Sequence, residues 1–232
     1  WGKFGGATGS FNAHKLAYPT IDWPKFADTL LTNFGLSRNQ HTTQIDNYEN
    51  MAVIFDALRR INSIAIDLCR DIWQYISMEY LKLSVNQNEV GSSTMPHKVN
   101  PINFENAEGN LMLANALLEF MSRKLPISRL QRDLTDSTVL RNVGTIFGHI
   151  IIAFVNILNG LKKIDINPTK IEADKTKYFV VVSEGVQTLL KKNGYDNAYE
   201  ELKTLTRGGN NLTRSRLDKF IEDNISKPEV RK

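Results

Sequence analysis

"IFDALRRINSIAIDLCRDIWQY" fills residues 54–75, and the spacing of its apolar side chains decides the fold. Ile54, Leu58, Ile61, Ala65, Leu68, Ile72 and Tyr75 recur at alternating steps of four and three, which places them in one stripe along a helix. No glycine or proline interrupts residues 45–85, so one helix is expected across that span, about 60 Å long at 1.5 Å per residue. A helix of that length needs neighbours along its whole face, which predicts a bundle.

Two more segments follow the same rule. Ala107, Leu111, Ala114, Leu118 and Met121 form a second heptad face. A third helix is expected from about Asp136 to Leu161, with Val139, Val143, Ile146, Ile150 and Phe154 turned inward. Its centre, "VGTIFGHIIIAFVNIL" at 143–158, is apolar all round. One neighbour could not cover it, so it is expected to sit in the core of an oligomer. The stretch falls short of the ~20 residues of a membrane span and carries His149 and Asn156, so no membrane crossing is expected. "NGLKKIDINP" at 159–168 reads as a break, followed by shorter helices at about 169–193, 196–206 and 213–224. Strand signals are scarce. The expected fold class is all-α, a long-helix bundle over residues 1–161 with a smaller helical domain over 162–232.

Residues 1–43 read as loop-rich. The glycines of "GKFGGATGSFNAH" lack the G-x-G-x-x-G spacing and follow no strand-like run, which argues against a dinucleotide site. The net charge of +4 is spread along the 232 residues without a basic run. That permits an anionic ligand and does not call for nucleic acid. One cysteine, Cys69, excludes an internal disulfide and fits a reducing compartment. The chain starts at Trp1 with no leader-like segment, so a piece of a longer, cytoplasmic protein is expected.

Between the first two helices stands "GSSTMPHKVNP", residues 91–101. Gly91 and the serines form a hinge, the prolines fix the far end, and Lys98 and Asn100 offer a cation and an amide donor. By local pattern it reads equally well as a connector whose Ser and Asn cap the second helix. The P-loop spacing is absent. Further on, "QRDLTDSTVLRN" at 131–142 holds Arg132, Ser137 and Arg141. With Asp136 as cap, Ser137 falls in the first turn and Arg141 one turn later, an arrangement suited to phosphate. A plain cap with surface arginines is the alternative.

"GSSTMPHKVNP" resembles the signature of the fumarase/aspartase superfamily. "TTQID" (42–46), "GSFNAHKLAYPTIDW" (9–23), "FENAEGNLMLANALLEF" (104–120) and "SRLQRDLTDSTVLRN" (128–142) resemble its adenylosuccinate lyase family. The resemblance implies a β-elimination that splits adenylosuccinate to fumarate and AMP, and SAICAR to fumarate and AICAR, with no cofactor and no metal. It implies a homotetramer in which each active site draws on three subunits, with a small-molecule substrate and neither nucleic acid nor membrane as partner. By the same resemblance Ser92 is the catalytic base. Lys98 and Asn100, with the backbone of Val99 between them, hold the succinyl carboxylates, and Ser93, Gln44 and Asn106 contact the substrate. Arg132, Ser137 and Arg141 hold the phosphate, Thr138 binds the substrate, Arg129 is a weaker candidate, and His97 is structural.

The chemistry explains those residue types. Removing a proton beside a carboxylate puts two negative charges on one group, so fixed cations and donors must stand where that charge develops. A serine serves as base only as an alkoxide stabilised in a dry site, and a closing loop would provide one. The family's general acid is a histidine in a T-x-H-like segment, and none of His14, His41, His97 and His149 lies in such a motif. The chain is therefore expected to represent the central and C-terminal parts of the enzyme and to be inactive alone. The alternatives are another fumarate-forming lyase, such as argininosuccinate lyase, fumarase or aspartase, and a non-catalytic oligomerisation scaffold.

Overall fold

The computed structural model describes residues 1–84, 100–195, 197–206 and 212–224. It divides into two units, one of Trp1–Ile76 with Leu83–Ile164, the other of Ser77–Lys82 with Asp165–Lys232. Helices α1 (Asn12–Ala17), α2 (Trp23–Asn33), α3 (Glu49–Ser77), α4 (Ile102–Lys124), α5 (Thr135–Leu140) and α6 (Val143–Leu161) precede α7 (Pro168–Lys177), α8 (Ser183–Lys192), α9 (Ala198–Thr206) and α10 (Arg214–Asn224). Two three-residue strands, β1 (Leu81–Leu83) and β2 (Ile164–Ile166), pair with each other. The all-α class read from the sequence is what the chain adopts.

In the first unit α3, α4 and α6 run alternately up and down. Trp73 bonds to Glu105, Arg70 to Glu108, Asn62 to Asn115 and Arg59 to Glu119, so each step along α3 is matched by a step back along α4. The expected face of α4 is fully buried: Ala107, Leu111, Ala114, Leu118 and Met121. With Phe55, Leu125, Ile146 and Ile150, the last three of these make the core, and Tyr48, Val139, Val143 and Phe154 pack on its edge. Gly160 brings α6 down onto α4. A Cβ there would stand 2.7 Å from the Phe104 ring, and Phe104, 1% exposed, has nowhere to go.

Three expectations need correction. The long helix has 29 residues and ends at Ser77. Glu79 turns into the left-handed region, where Asn167 donates its side-chain amide to the Glu79 carbonyl and its backbone N–H to that of Tyr80. These tertiary bonds override helical propensity. The buried stripe of α3 is Ala52, Phe55, Asn62, Ala65, Cys69 and Ile72, while Ile54, Ile61, Leu68 and Tyr75 are exposed beside Val53 and Ile64. The helix thus has two apolar faces, and the chain's own α4 occupies only one.

The third correction concerns residues 135–161, which form two helices. Asn142 turns its side-chain amide back to the carbonyls of Thr138 and Val139, competing for acceptors that a continuing helix would use. By length and composition Thr135–Leu161 could cross a membrane. In the fold, Ile146, Ile150, Ala153 and Ile157 are buried, and His149 and Asn156 bond to α4. Phe147, Ile151, Ile152, Val155 and Leu158 remain exposed. Residues 1–43 are loop-rich, as expected, and hold the two helices α1 and α2. Asp22 accepts from the Lys25 N–H, Pro24 lies in the first turn of α2, and Gly35 follows its end at φ +70°.

The second unit has its own core of Leu190, Leu202, Leu212, Leu217 and Phe220. The helix expected over 169–193 is broken by a 3₁₀ turn at Phe179–Val182, where three consecutive valines stiffen the backbone. Gly194, at φ +85°, ends α8: its N–H bonds to Lys191 and that of Tyr195 to Leu190, closing the helix in a Schellman motif.

Candidate active site

Ser92, Ser93, Lys98 and Val99, with His97, lie outside the described residues. The remaining candidates fall into two groups on the first unit.

The first group surrounds the start of α3. Arg38, only 8% exposed, donates to Asp28 at 2.7 Å and to the side chain and carbonyl of Gln40. The hydrogen bonds from Arg38 and then from Gln40 hold the Asp28 carboxyl below its usual range. Beyond this knot, Asn39 donates to Asp46 at 2.8 Å and to Asn47 at 3.0 Å, folding the loop that exposes Gln44. The same loop lies against Gly9: a Cβ there would stand 2.1 Å from the Thr42 carbonyl oxygen, and Gly9 has φ +76°. The glycines of the N-terminal segment therefore serve close backbone approach.

Tyr48 then ties this loop to the 132–141 segment. Its hydroxyl donates to Asp136 Oδ2 at 2.8 Å, and Asp136 is 5% exposed. The other oxygen, Oδ1, accepts the Ser137 N–H at 2.7 Å, and Arg132 Nη2 stands 3.5 Å from Oδ2. Burial, then the bond to Asp136, pushes the Tyr48 hydroxyl up to about 12. Burial would raise Asp136 too, but the donors Tyr48 and Ser137 and the charge of Arg132 outweigh it and hold that carboxyl below its ordinary value.

This geometry changes the phosphate argument. Asp136 is not the cap; Asp133 takes the Thr135 N–H and hydroxyl instead, and those two bonds lower its carboxyl. Ser137 spends its N–H on Asp136 and its hydroxyl on the Leu134 carbonyl. Helix α5 is only six residues long. What this segment offers an anion is guanidinium: Arg132, paired at one edge, and Arg141, exposed and without an ion pair among the described residues, beside the exposed Thr138.

The second group lies on α4 and α6. Asn100, whose carbonyl accepts the Ile102 N–H at 2.8 Å, lines a cavity of about 50 Å³ with Ser84, Asn103, Gly160 and Lys163. Asn106 stands on the exposed edge of α4, where Asn110 and Asn156 both donate to its Oδ1, at 3.0 and 3.1 Å. Asn103 and His149 extend this set by bonding to Asn156 and Asn110.

The structure does not bring the two groups together in one chain. Tyr48, Val139 and Leu140 pack on the cluster that holds Met121 and Leu125. From Asn106 to those residues α4 covers about 20–30 Å at 1.5 Å per residue. Sequence reasoning missed Tyr48 as a tie and Asn110 and Asn156 as partners of Asn106. The signal available was a row of asparagines, Asn103, Asn106 and Asn110 on α4 with Asn156 on α6.

Two of the described histidines, His14 and His149, are engaged by their surroundings. His14 is enclosed by the rings of Phe4, Phe11 and Trp23, and His149 is bonded to Asn110 at 2.7 Å. Cys69 is buried, and burial followed by the nearby Glu108 pushes its thiol up to about 11, which suits packing rather than nucleophilic chemistry. Among the described residues no three His, Cys, Asp or Glu side chains are grouped to hold a metal.

Two family models match the chain, one described as lyase over residues 1–117, the other as adenylosuccinate lyase C-terminal over 128–232. The adenylosuccinate lyase of Dictyostelium discoideum is 54% identical over 98% of this chain and 49% of its own length. That of Escherichia coli is 45% identical over 100% of this chain and 50% of its own. The chain thus spans about half the length of the curated relatives it matches. The crystal structure of the 3-carboxy-cis,cis-muconate lactonizing enzyme from Pseudomonas putida aligns with a TM-score of 0.59 at 22% identity, over 87% of this chain and 45% of that one. That is a likeness of fold.

Proposed function

We propose, for a chain that belongs to the lyase family on its adenylosuccinate lyase branch, that it supplies part of the machinery splitting adenylosuccinate to fumarate and AMP, and SAICAR to fumarate and AICAR. The observation that carries the reading is the presence on one chain of two complementary groups: the guanidiniums of Arg132 and Arg141, suited to a phosphate, and the asparagines at and after Asn100, suited to a dicarboxylate.

In this reading Ser92, as an alkoxide, takes the proton beside the carboxylate. The electron pair forms the double bond of fumarate as the carbon–nitrogen bond breaks, and the departing nitrogen takes a proton from a general acid. Ser93, Lys98, Asn100 and the Val99 backbone hold the succinyl carboxylates as charge accumulates. Gln44 and Asn106 touch the substrate, Arg132, Thr138 and Arg141 face the phosphate, and Ser137, whose donors go to Asp136 and Leu134, shapes that segment. By the family resemblance we assign the general acid to a histidine outside this chain, since none of His14, His41, His97 and His149 lies in the T-x-H-like motif. The separation of roughly 20–30 Å between the two groups supports a site shared by several copies, a homotetramer in which the open apolar faces of α3 and α6 cover one another. An enzyme of this kind acts in the cytoplasm.

The test is turnover of adenylosuccinate, followed by absorbance, in the chain completed with the preceding half that its relatives possess. Ser92→Ala is expected to lower kcat by a factor of about 10²–10⁴. Arg141→Ala is expected to weaken AMP binding about tenfold or more, the worth of a charge-assisted bond. Absence of both turnover and AMP binding in the unaltered protein overturns the reading.

A further inference from the structure

Asn106 has one end of its amide committed. Asn110 gives its Nδ2 to the Asn106 backbone carbonyl at 2.8 Å as well as to Asn106 Oδ1 at 3.0 Å. Asn156 gives its Nδ2 to the Ile152 carbonyl at 2.9 Å and to Asn106 Oδ1 at 3.1 Å. A backbone carbonyl only accepts, so each of those two contacts fixes which end of the donating amide is nitrogen. Both nitrogens then converge on one oxygen of Asn106. The outer partners agree. Asn110 Oδ1 meets His149 Nδ1 at 2.7 Å, so that ring nitrogen carries the hydrogen, and Asn156 Oδ1 accepts from Asn103 at 3.1 Å. Lys163, whose ammonium can only donate, stands 3.5 Å from Asn103 Oδ1. Every amide in the relay points the same way, and Asn106 Nδ2 is left bonded to nothing among the described residues, on the exposed edge of α4.

We propose that Asn110 and Asn156 are positioning residues that present Asn106 to the ligand as a donor only. The ligand atom at this point is then a hydrogen-bond acceptor, a carboxylate oxygen, and a ligand that placed an N–H or ammonium there would meet another donor. The inference rests on the reading above that Asn106 faces the substrate.

Asn156→Asp in the completed enzyme tests it. The shape is kept and the donor is lost. The new carboxylate instead attracts Asn106 Nδ2 and turns Asn106 Oδ1 toward the substrate. At a pH of about 7.5, well above the ordinary carboxyl range, KM for adenylosuccinate is expected to rise roughly tenfold to a hundredfold relative to the unaltered enzyme, the worth of a hydrogen bond to a charged group, with kcat changed less. As pH falls toward the carboxyl range, the ratio of variant to unaltered enzyme should recover, because the introduced carboxyl donates again once it is protonated. Asn110→Asp should behave alike from the other side. An unchanged KM, or a ratio flat with pH, in a folded variant overturns the proposal while leaving the site reading intact. Loss of folding in both variants also overturns it, since the relay is then structural. An unaltered enzyme that does not turn over adenylosuccinate overturns the site reading and this inference with it.

Discussion

Tyr48→Phe isolates the tie between the Gln44 loop and the arginine segment. The ring stays packed on the core cluster and opens no cavity; only the hydroxyl that donates to Asp136 at 2.8 Å is lost. Asp136 is 5% exposed, so water cannot readily replace that donor. A hydrogen bond to a buried charge contributes about 1.5–3 kcal/mol, and Ser137 and Arg132 still hold the carboxylate, so a loss of about 2 kcal/mol is expected. Urea unfolding followed by tryptophan fluorescence measures it selectively, because Trp1, Trp23 and Trp73 all belong to the first unit. Asp136→Asn removes the charge that strengthens the same bond, so the double variant should cost less than the sum of the singles by about 1 kcal/mol. A cost under about 0.5 kcal/mol for Tyr48→Phe would show that the tie is not holding the loop, and a strictly additive cycle would show that hydroxyl and carboxylate act independently.

Alkaline titration gives a related result. The fold favours the neutral Tyr48 hydroxyl, whose value of about 12 lies above its ordinary 10, so its contribution is present below about pH 10 and is lost as pH rises from about 10 to 12. Urea midpoints should fall more steeply over that window in the unaltered chain than in Tyr48→Phe. Gly9→Ala places a Cβ 2.1 Å from a backbone oxygen at a φ of +76°; neither side can yield, and a loss of roughly 2–4 kcal/mol from strain and overpacking is expected in the same fluorescence assay. Leu118→Ala, at a fully buried position, should cost about 3–5 kcal/mol, and a loss below about 1 kcal/mol would mean that α3, α4 and α6 do not share one core.

The bundle was legible because its signal is repeated burial at helical spacing, and α4 shows it most simply: one apolar face, one buried face. On α3 the same spacing misled, since two apolar faces overlap in sequence and only the structure tells which one meets α4. Helix ends were the weakest reading. The stop after Ser77 depends on Asn167, far along the chain, and the break before Val143 on a side chain folding back on its own helix. The candidate site could be named from sequence as a set of residue types through resemblance, but its hydrogen bonding could not. Nothing in "RDLTDSTVLR" announces that the serine's donors are spent internally, because the partner that consumes the N–H is a carboxylate anchored by Tyr48 from a remote loop.

The separation of Asn106, on α4, from Arg141, at the end of α5, has a genetic consequence under the shared-site assembly. A subunit damaged in one of the two groups still carries the other group intact. Two alleles, one defective at Asn106 and the other at Arg141, would each be inactive alone. Co-expressed, they would form mixed assemblies in which some reaction centres draw only sound contributions, and part of the activity would return. Two alleles defective in the same group could not rescue one another, so a complementation map of such alleles would sort residues by the copy that contributes them.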